Sequence, residues 1–284
     1  MASAESVTAD DLSTDERDAL EALLLRLADD EFVLAERYTE WQVRSPTLES
    51  DLALSNNAQD ELGHARLWYD VLEDLGYEEH ELIYEREADA WRHSTLVERP
   101  FPEGDWANAI VRHYLYDVAE KRRLEALEDS AYSKLADRVG KIQAEERYHL
   151  EHAQNWMERL ADDEEDDGGR ERLQQAVDRL FPYALTLFAP VDDETETAIE
   201  EAGFRDATLE ELATDWANEV VPFLEGLGLD VPIGEDDVLD LDPDVPRGRD
   251  GDHTDTWADL REEFTSTYRE LGRSGATRIM EKPE

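Results

Sequence analysis

An all-α fold, an antiparallel four-helix bundle with further helices packed around it, is what this 284-residue chain predicts. Three observations carry the prediction. Apolar residues recur at steps of three, four or seven over four stretches of roughly 25 to 30 residues, the connections between paired stretches are short, and no run alternates as a strand does.

The first helix opens at the capping box Ser13-Thr-Asp-Glu16, and its stripe runs through Leu20, Leu24, Leu27, Leu34, Tyr38 and Trp41 until Ser45-Pro46 ends it. Pro46 is expected as first residue of the second helix, whose stripe at Ala58, Ala65, Trp68, Leu72 and Leu75 stops at Gly76. A loop containing Pro100, Pro102 and Gly104 leads to a third helix over about 105–128, and a break at Asp129-Ser130 leads to a fourth holding Leu135, Val139, Ile142, Leu150, Ala153, Met157 and Leu160. The acidic run 162–167, closed by Gly168-Gly169, reads as a solvated connector. Helices over about 170–188 and 209–224 follow, then a Pro/Asp/Gly-rich segment over about 231–252 and a last helix with Trp257, Leu260, Phe264, Tyr268 and Leu271. The expectation is one domain over 1–284, with a core bundle at about 14–161 and accessory helices at about 170–272. The face holding Leu180, Phe181, Tyr183, Leu185 and Phe188 either packs on the bundle or meets another protein chain.

Composition narrows the chemistry. There is no cysteine, so any metal must be held by imidazole and carboxylate, which favours iron, manganese or zinc. With 74 Asp+Glu against 28 Lys+Arg, the field repels nucleic acid and anionic lipid, and neither is expected as a partner. No stretch approaches the roughly 18 apolar residues of a membrane span, and no basic segment followed by an apolar run opens the chain, so a soluble, cytoplasmic protein is expected. The acidic excess runs along the whole chain and is read as a halophilic solvation surface.

Charged residues interrupt the apolar stripes in a regular way. Glu31 falls between Leu27 and Leu34, Glu61 between Ala58 and Ala65 with His64 one turn on, Asp117 continues Ile110 and Tyr114, and Glu146 falls between Ile142 and Leu150 with His149 one turn on. Glu31 precedes Glu61 by 30 residues and Asp117 precedes Glu146 by 29, and each second member opens a Glu-x-x-His pair. Four carboxylates and two imidazoles buried together cannot all stay ionised without a cation. Two helices giving one carboxylate each and two giving Glu-x-x-His is the ligand scheme of ferritin-like di-iron and di-manganese proteins, with Asp117 where that scheme has Glu. The competing reading pairs some of the six with Arg66 or Arg147. His113 and His152 are read as surface residues or as supports for the ligands, Glu145 as solvated, and Asp60 and Asn56 as supports.

At Gln59-Asp-Glu-Leu-Gly-His64 and Glu145-Glu-Arg-Tyr-His149, with Ser45-Pro-Thr47, Trp156-Met-Glu-Arg-Leu160 and Leu173-Gln-Gln-Ala176, the chain resembles the phenylacetyl-CoA ring-epoxidase family. The resemblance covers nearly the whole chain and is nearer the family's C-type proteins than its catalytic A-type proteins. It implies two iron ions, with manganese as an alternative, held by Glu31, Glu61, His64, Asp117, Glu146 and His149, and transfer of one oxygen atom from dioxygen to the aromatic ring of phenylacetyl-CoA or a similar acyl-CoA. The partners it implies are a paralogous, catalytic A-type chain and the other epoxidase subunits, including a reductase. Three functions stay open: a di-iron subunit of the epoxidase, a non-catalytic scaffold of the same complex, and a rubrerythrin- or ferritin-like iron oxidase. Lys121-Arg122-Arg123 either meets CoA phosphates or pairs with Glu120 and Glu125.

Overall fold

The computed structural model describes residues 7–42, 44–100, 105–162, 168–233, 241 and 243–272. Among them every regular element is helical, and the architecture is the expected all-α, ferritin-like bundle. The four long helices are α1 (Thr14–Thr39), α2 (Leu48–Asp74), α4 (Trp106–Glu125) and α5 (Ser133–Ala161), with a one-turn α3 (Thr95–Glu98) in the connection between α2 and α4. Then come α6 (Gly169–Ala184), α7 (Asp193–Glu201), α8 (Leu209–Gly226) and α9 (Asp255–Glu270). Residues 163–167 of the acidic connector, Pro102 and Gly104 of the first loop, and 234–240 and 242 of the Pro/Asp/Gly segment lie outside the described residues.

Helix ends follow their caps. The Ser13 hydroxyl accepts from the Glu16 amide at 3.3 Å and the Glu16 carboxylate accepts from the Ser13 amide at 2.8 Å, which is the capping box read from the sequence. Pro46 is not the first residue of α2; Thr47 caps that helix, its hydroxyl accepting from the Ser50 amide at 3.1 Å. Gly76, at φ +94°, ends it in the left-handed region that glycine tolerates. α4 stops three residues short of the expected end because the turn after it is taken by other backbone: the Asp206 amide donates to Ala126 O at 3.0 Å and the Ala131 amide to Gly203 O at 2.8 Å. The helix expected to reach residue 188 instead tightens to a 3₁₀ turn at Leu185–Phe188, a common way for an α-helix to end. α7 was not anticipated; Asp192 caps it by accepting from the Thr195 amide at 2.8 Å.

α1 packs along α2 and α4 along α5, while α2 meets α5 and closes the bundle. α6 and α8 cover α4, and α7 covers α1. Leu180, Phe181 and Phe188 are buried in this packing, while Tyr183 and Leu185 stay half-buried against it. Trp216 of α8 sits between Phe181 and Phe188 and donates its indole N–H to Leu115 O at 3.0 Å.

Three consecutive acids of α1, Asp29, Asp30 and Glu31, are all fully buried, and each has a different task. Asp29 accepts from the Arg86 guanidinium and, at 2.8 Å, from the Arg92 amide, fixing the loop after α2. Asp30 accepts from Arg123 at 2.6 Å, from Arg249 at 2.7 Å and from the Ser94 amide at 2.7 Å, which ties α1 to α4, to α3 and to the chain before α9. Burial would raise the Asp30 pKa, but Arg249 and Arg123 outweigh it and hold the carboxyl below its ordinary value. Asp30→Ala would leave the buried Arg249 guanidinium without its counter-ion and Arg123 with Glu120 alone, and we expect a loss of about 3–5 kcal/mol in urea unfolding. A loss no larger than that of an exposed aspartate would remove Asp30 from the centre of the packing.

Candidate metal centre

The six side chains singled out from the stripes lie on the four long helices, and none is more than 4% exposed. Five of them converge as two clusters that share one carboxylate: Glu31, Glu61 and His64, and Glu61, Glu146 and His149. Glu61 spans the two imidazoles, its Oε2 lying 4.0 Å from His64 Nδ1 and its Oε1 3.7 Å from His149 Nδ1. Glu146 Oε1 is 3.4 Å from His64 Nδ1 and 3.2 Å from His149 Nδ1, and Glu31 Oε2 is 3.6 Å from His64 Nδ1. Asp117 joins neither cluster. Its Oδ2 lies 2.8 Å from His113 Nε2, out of line for a hydrogen bond.

The two halves brace each other. His64 Nε2 donates to Glu145 Oε2 at 2.8 Å and His149 Nε2 donates to Asp60 Oδ2 at 3.3 Å, so each imidazole is held by the acid that precedes the glutamate of the opposite helix. That fixes the tautomer and leaves both Nδ1 lone pairs facing the carboxylates. Glu145 is therefore not a solvated bystander, although it is partly exposed. Asp60 is a support as expected; Asn56 is exposed, and the neighbouring Asn57 is the buried amide, 3.3 Å from His113 Nε2. His113 is buried rather than on the surface, and burial, with His149⁺ nearby, pushes it down to about 3 although Glu146 opposes the shift. His152 is only partly buried. Glu120, one turn beyond Asp117, is fully buried and bonded to Arg123, with burial raising its pKa well above the usual range and Glu31 adding to the rise.

The arrangement fits a bound cation pair. Both oxygens of Glu31, Glu61, Asp117 and Glu146, and Nδ1 of His64 and His149, have no well-aligned hydrogen-bond partner. Unpartnered buried acceptors in such number are costly unless something positive sits among them. The salt-bridge alternative does not supply it: Arg66 pairs with Glu79 at 3.0 Å, and Arg147 is exposed. A cavity of about 320 Å³ between α4 and α5, lined by Lys121, Leu124, Gln143, Glu146 and Leu150, opens the Glu146 side to solvent. The basic cluster is largely engaged elsewhere, Lys121 and Arg122 on Glu219 at 3.0 and 2.6 Å, Arg122 on Glu125 at 2.8 Å, and Arg123 on Asp30 and Glu120.

The profile described as "Phenylacetic acid catabolic protein" matches residues 2–273. The C-type subunit of the 1,2-phenylacetyl-CoA epoxidase of Escherichia coli (strain K12) is 34% identical over 215 residues, which is 75% of this chain and 84% of that one. The A-type subunit of the same epoxidase is 30% identical over 195 residues, 68% of this chain and 62% of that one. Among the described residues no helix is long and apolar enough to cross a membrane.

Without a metal, protons must do the neutralising. Burial raises Glu31 and Asp117 well above the carboxyl range, with Glu61 and Glu146 respectively adding to the rise. Burial opposes charge on His64, but Glu146 and Glu31 outweigh it and push the imidazole up to about 12. A histidine raised in this way stabilises the fold fully below its unfolded pKa near 6.5, and that stability is lost as pH rises toward the folded value. The raised carboxyls act with the same sign. The melting temperature of chelator-treated protein should therefore fall as pH climbs above about 6.5, and His64→Gln should flatten the fall. Identical profiles for the two proteins would contradict the assignment.

Proposed function

The chain belongs to the phenylacetic acid catabolic protein family, and on that premise we propose that it serves as a subunit of a 1,2-phenylacetyl-CoA epoxidase in phenylacetate breakdown. The observation that carries the reading is the shared cluster of buried acceptors, Glu31, Glu61, His64, Glu146 and His149, in a chain related to two subunits of that epoxidase. The same proposal includes a paralogous A-type partner, a reductase, an acyl-CoA substrate and a cytoplasmic location.

In this reading Glu31, Glu61, His64, Glu146 and His149 would hold two irons, with Asp117 of α4 the sixth candidate ligand and manganese the alternative metal. Imidazole and carboxylate without thiolate suit these ions. Bound iron would supply the electrons for splitting dioxygen, one atom of which goes to the aromatic ring. The chain's own residues set the conditions. Glu145 and Asp60 hold a proton on each Nε2 and aim the Nδ1 atoms inward, where a bound cation would take the place of a second ring proton. Burial of all six side chains excludes bulk water, and Tyr38 and Tyr116, both buried beside the carboxylates, carry phenols raised first by burial and then by Asp117 and Glu31 respectively. The α4–α5 cavity is the route by which a small reactant reaches Glu146. Glu145→Ala and Asp60→Ala should each weaken iron binding about 10- to 100-fold, as read by competition with a chelator, while the helical circular dichroism stays unchanged.

A second reading, a scaffold that supports the catalytic paralogue, is favoured by the higher identity to the C-type relative than to the A-type one. One reconstitution separates the two. Glu61→Ala/Glu146→Ala should abolish iron binding; if the complex rebuilt with this variant epoxidises phenylacetyl-CoA at the full rate, the chain is a scaffold, and if the rate collapses, its own centre turns over.

A further inference from the structure

Outside those six residues, His93, Glu98 and His253 form another group of ligating side chains. His93 precedes α3, Glu98 ends it, and His253 lies just before α9. His93 Nε2 and His253 Nδ1 lie 2.7 and 2.8 Å from the same Glu98 Oε2, and the two rings stack with centroids 4.3 Å apart and planes 23° from parallel. All three side chains are buried.

The hydrogens limit what can lie between these groups. His253 Nε2 lies 3.3 Å from Trp91 O, which can only accept, so Nε2 carries a proton. Nδ1 then faces a carboxylate oxygen 2.8 Å away, a contact completed either by a second ring proton or by a bound metal ion. A ligating histidine ordinarily donates its other N–H to a carbonyl or carboxylate, which is what His253 does. Glu98 is held for the same task, because its Oε1 accepts from the Thr254 amide at 2.6 Å and this turns Oε2 toward both imidazoles. The chain closes tightly over the group. Any Cβ on Gly248 would collide with His93 O, and the Trp257 ring packs edge-on to His93 with centroids 4.3 Å apart.

We propose that His93 Nε2, Glu98 Oε2 and His253 Nδ1 form a separate structural metal site, for zinc or a similar divalent ion, which fastens the segment entering α9 to the end of α3. Two imidazoles and one carboxylate are a donor set that zinc takes at about 2.0–2.2 Å. Ligands of one tetrahedral ion then stand about 3.3 Å apart, so the donors need separate by only about half an ångström. The site is independent of the iron-binding reading, and its test is arranged to stay so. Glu61→Ala/Glu146→Ala protein, equilibrated with zinc sulfate and dialysed, should retain one zinc per chain by elemental analysis and should melt at a higher temperature than its chelated form. Adding His253→Ala should remove both the zinc and the shift, and His253→Gln, which preserves a hydrogen bond to Glu98, should do the same with unchanged circular dichroism. Absence of zinc from the Glu61→Ala/Glu146→Ala protein, or retention of zinc after either His253 change, overturns the proposal. A melting temperature that depends on His253 through pH alone, with no response to zinc, identifies the cation as a proton and overturns it equally.

Discussion

The interior of this bundle holds three carboxylates, Glu31, Glu61 and Glu146, gathered around two imidazoles, with a fourth, Asp117, buried beside them. Carboxylates so placed cannot all ionise in a dry core, so the fold tolerates them only with bound protons or with bound metal. Everything around them is arranged to hold that unfavourable group together. Each long helix contributes a member, the His64 and His149 rings are held from opposite sides by Glu145 and Asp60, and α1 is anchored immediately next to Glu31 by the Asp30 contacts to Arg123 and Arg249. Helices free to slide would separate the carboxylates; these are fixed from three directions.

The anchoring explains why a chain carrying so many charges on its surface also buries several of them. Asp29 and Asp30 are not part of the centre, yet they connect α1 to the loop after α2, to α3, to α4 and to the chain entering α9. The accessory helices thus have a function beyond covering apolar surface. α7 places Glu196 against Arg26 of α1 at 2.5 Å, and α8 places Glu219 against Lys121 and Arg122 of α4, so these three cations of the bundle are engaged by the added segments. For a protein related to members of a multicomponent epoxidase, a rigid centre with an opening between α4 and α5 serves catalysis and scaffolding alike.

Much of this was legible from periodicity. The four long helices follow apolar stripes, and the six inward polar residues were visible because they interrupt those stripes in phase. Side-chain partners were less legible, since they depend on which neighbour a helix face meets. Glu145 looks like a surface acid because its own helix exposes it; only the approach of α2 brings His64 within 2.8 Å. Asn56 and Asn57 are equivalent as letters, and the rotation of α2 selects Asn57 for burial. The doubled acid before each Glu-x-x-His, Asp60-Glu61 and Glu145-Glu146, was the one signal that could have revealed the bracing. α7 escaped because it is short and acidic, and its burial rests on Ile199 and a buried Glu196 rather than on a long stripe.

The sequence alone determined the helical class, the absence of thiolate chemistry and the identity of the inward-facing acids and histidines, because each of these is a local property of composition or of spacing along one helix. The tertiary structure decided which of those groups meet. It made Glu61 and Glu146 common to both imidazoles, turned Asp117 toward His113, and brought Glu98 to His253 across 155 residues of chain. Such contacts depend on how helices and loops pack against one another, and packing is settled by the whole molecule at once.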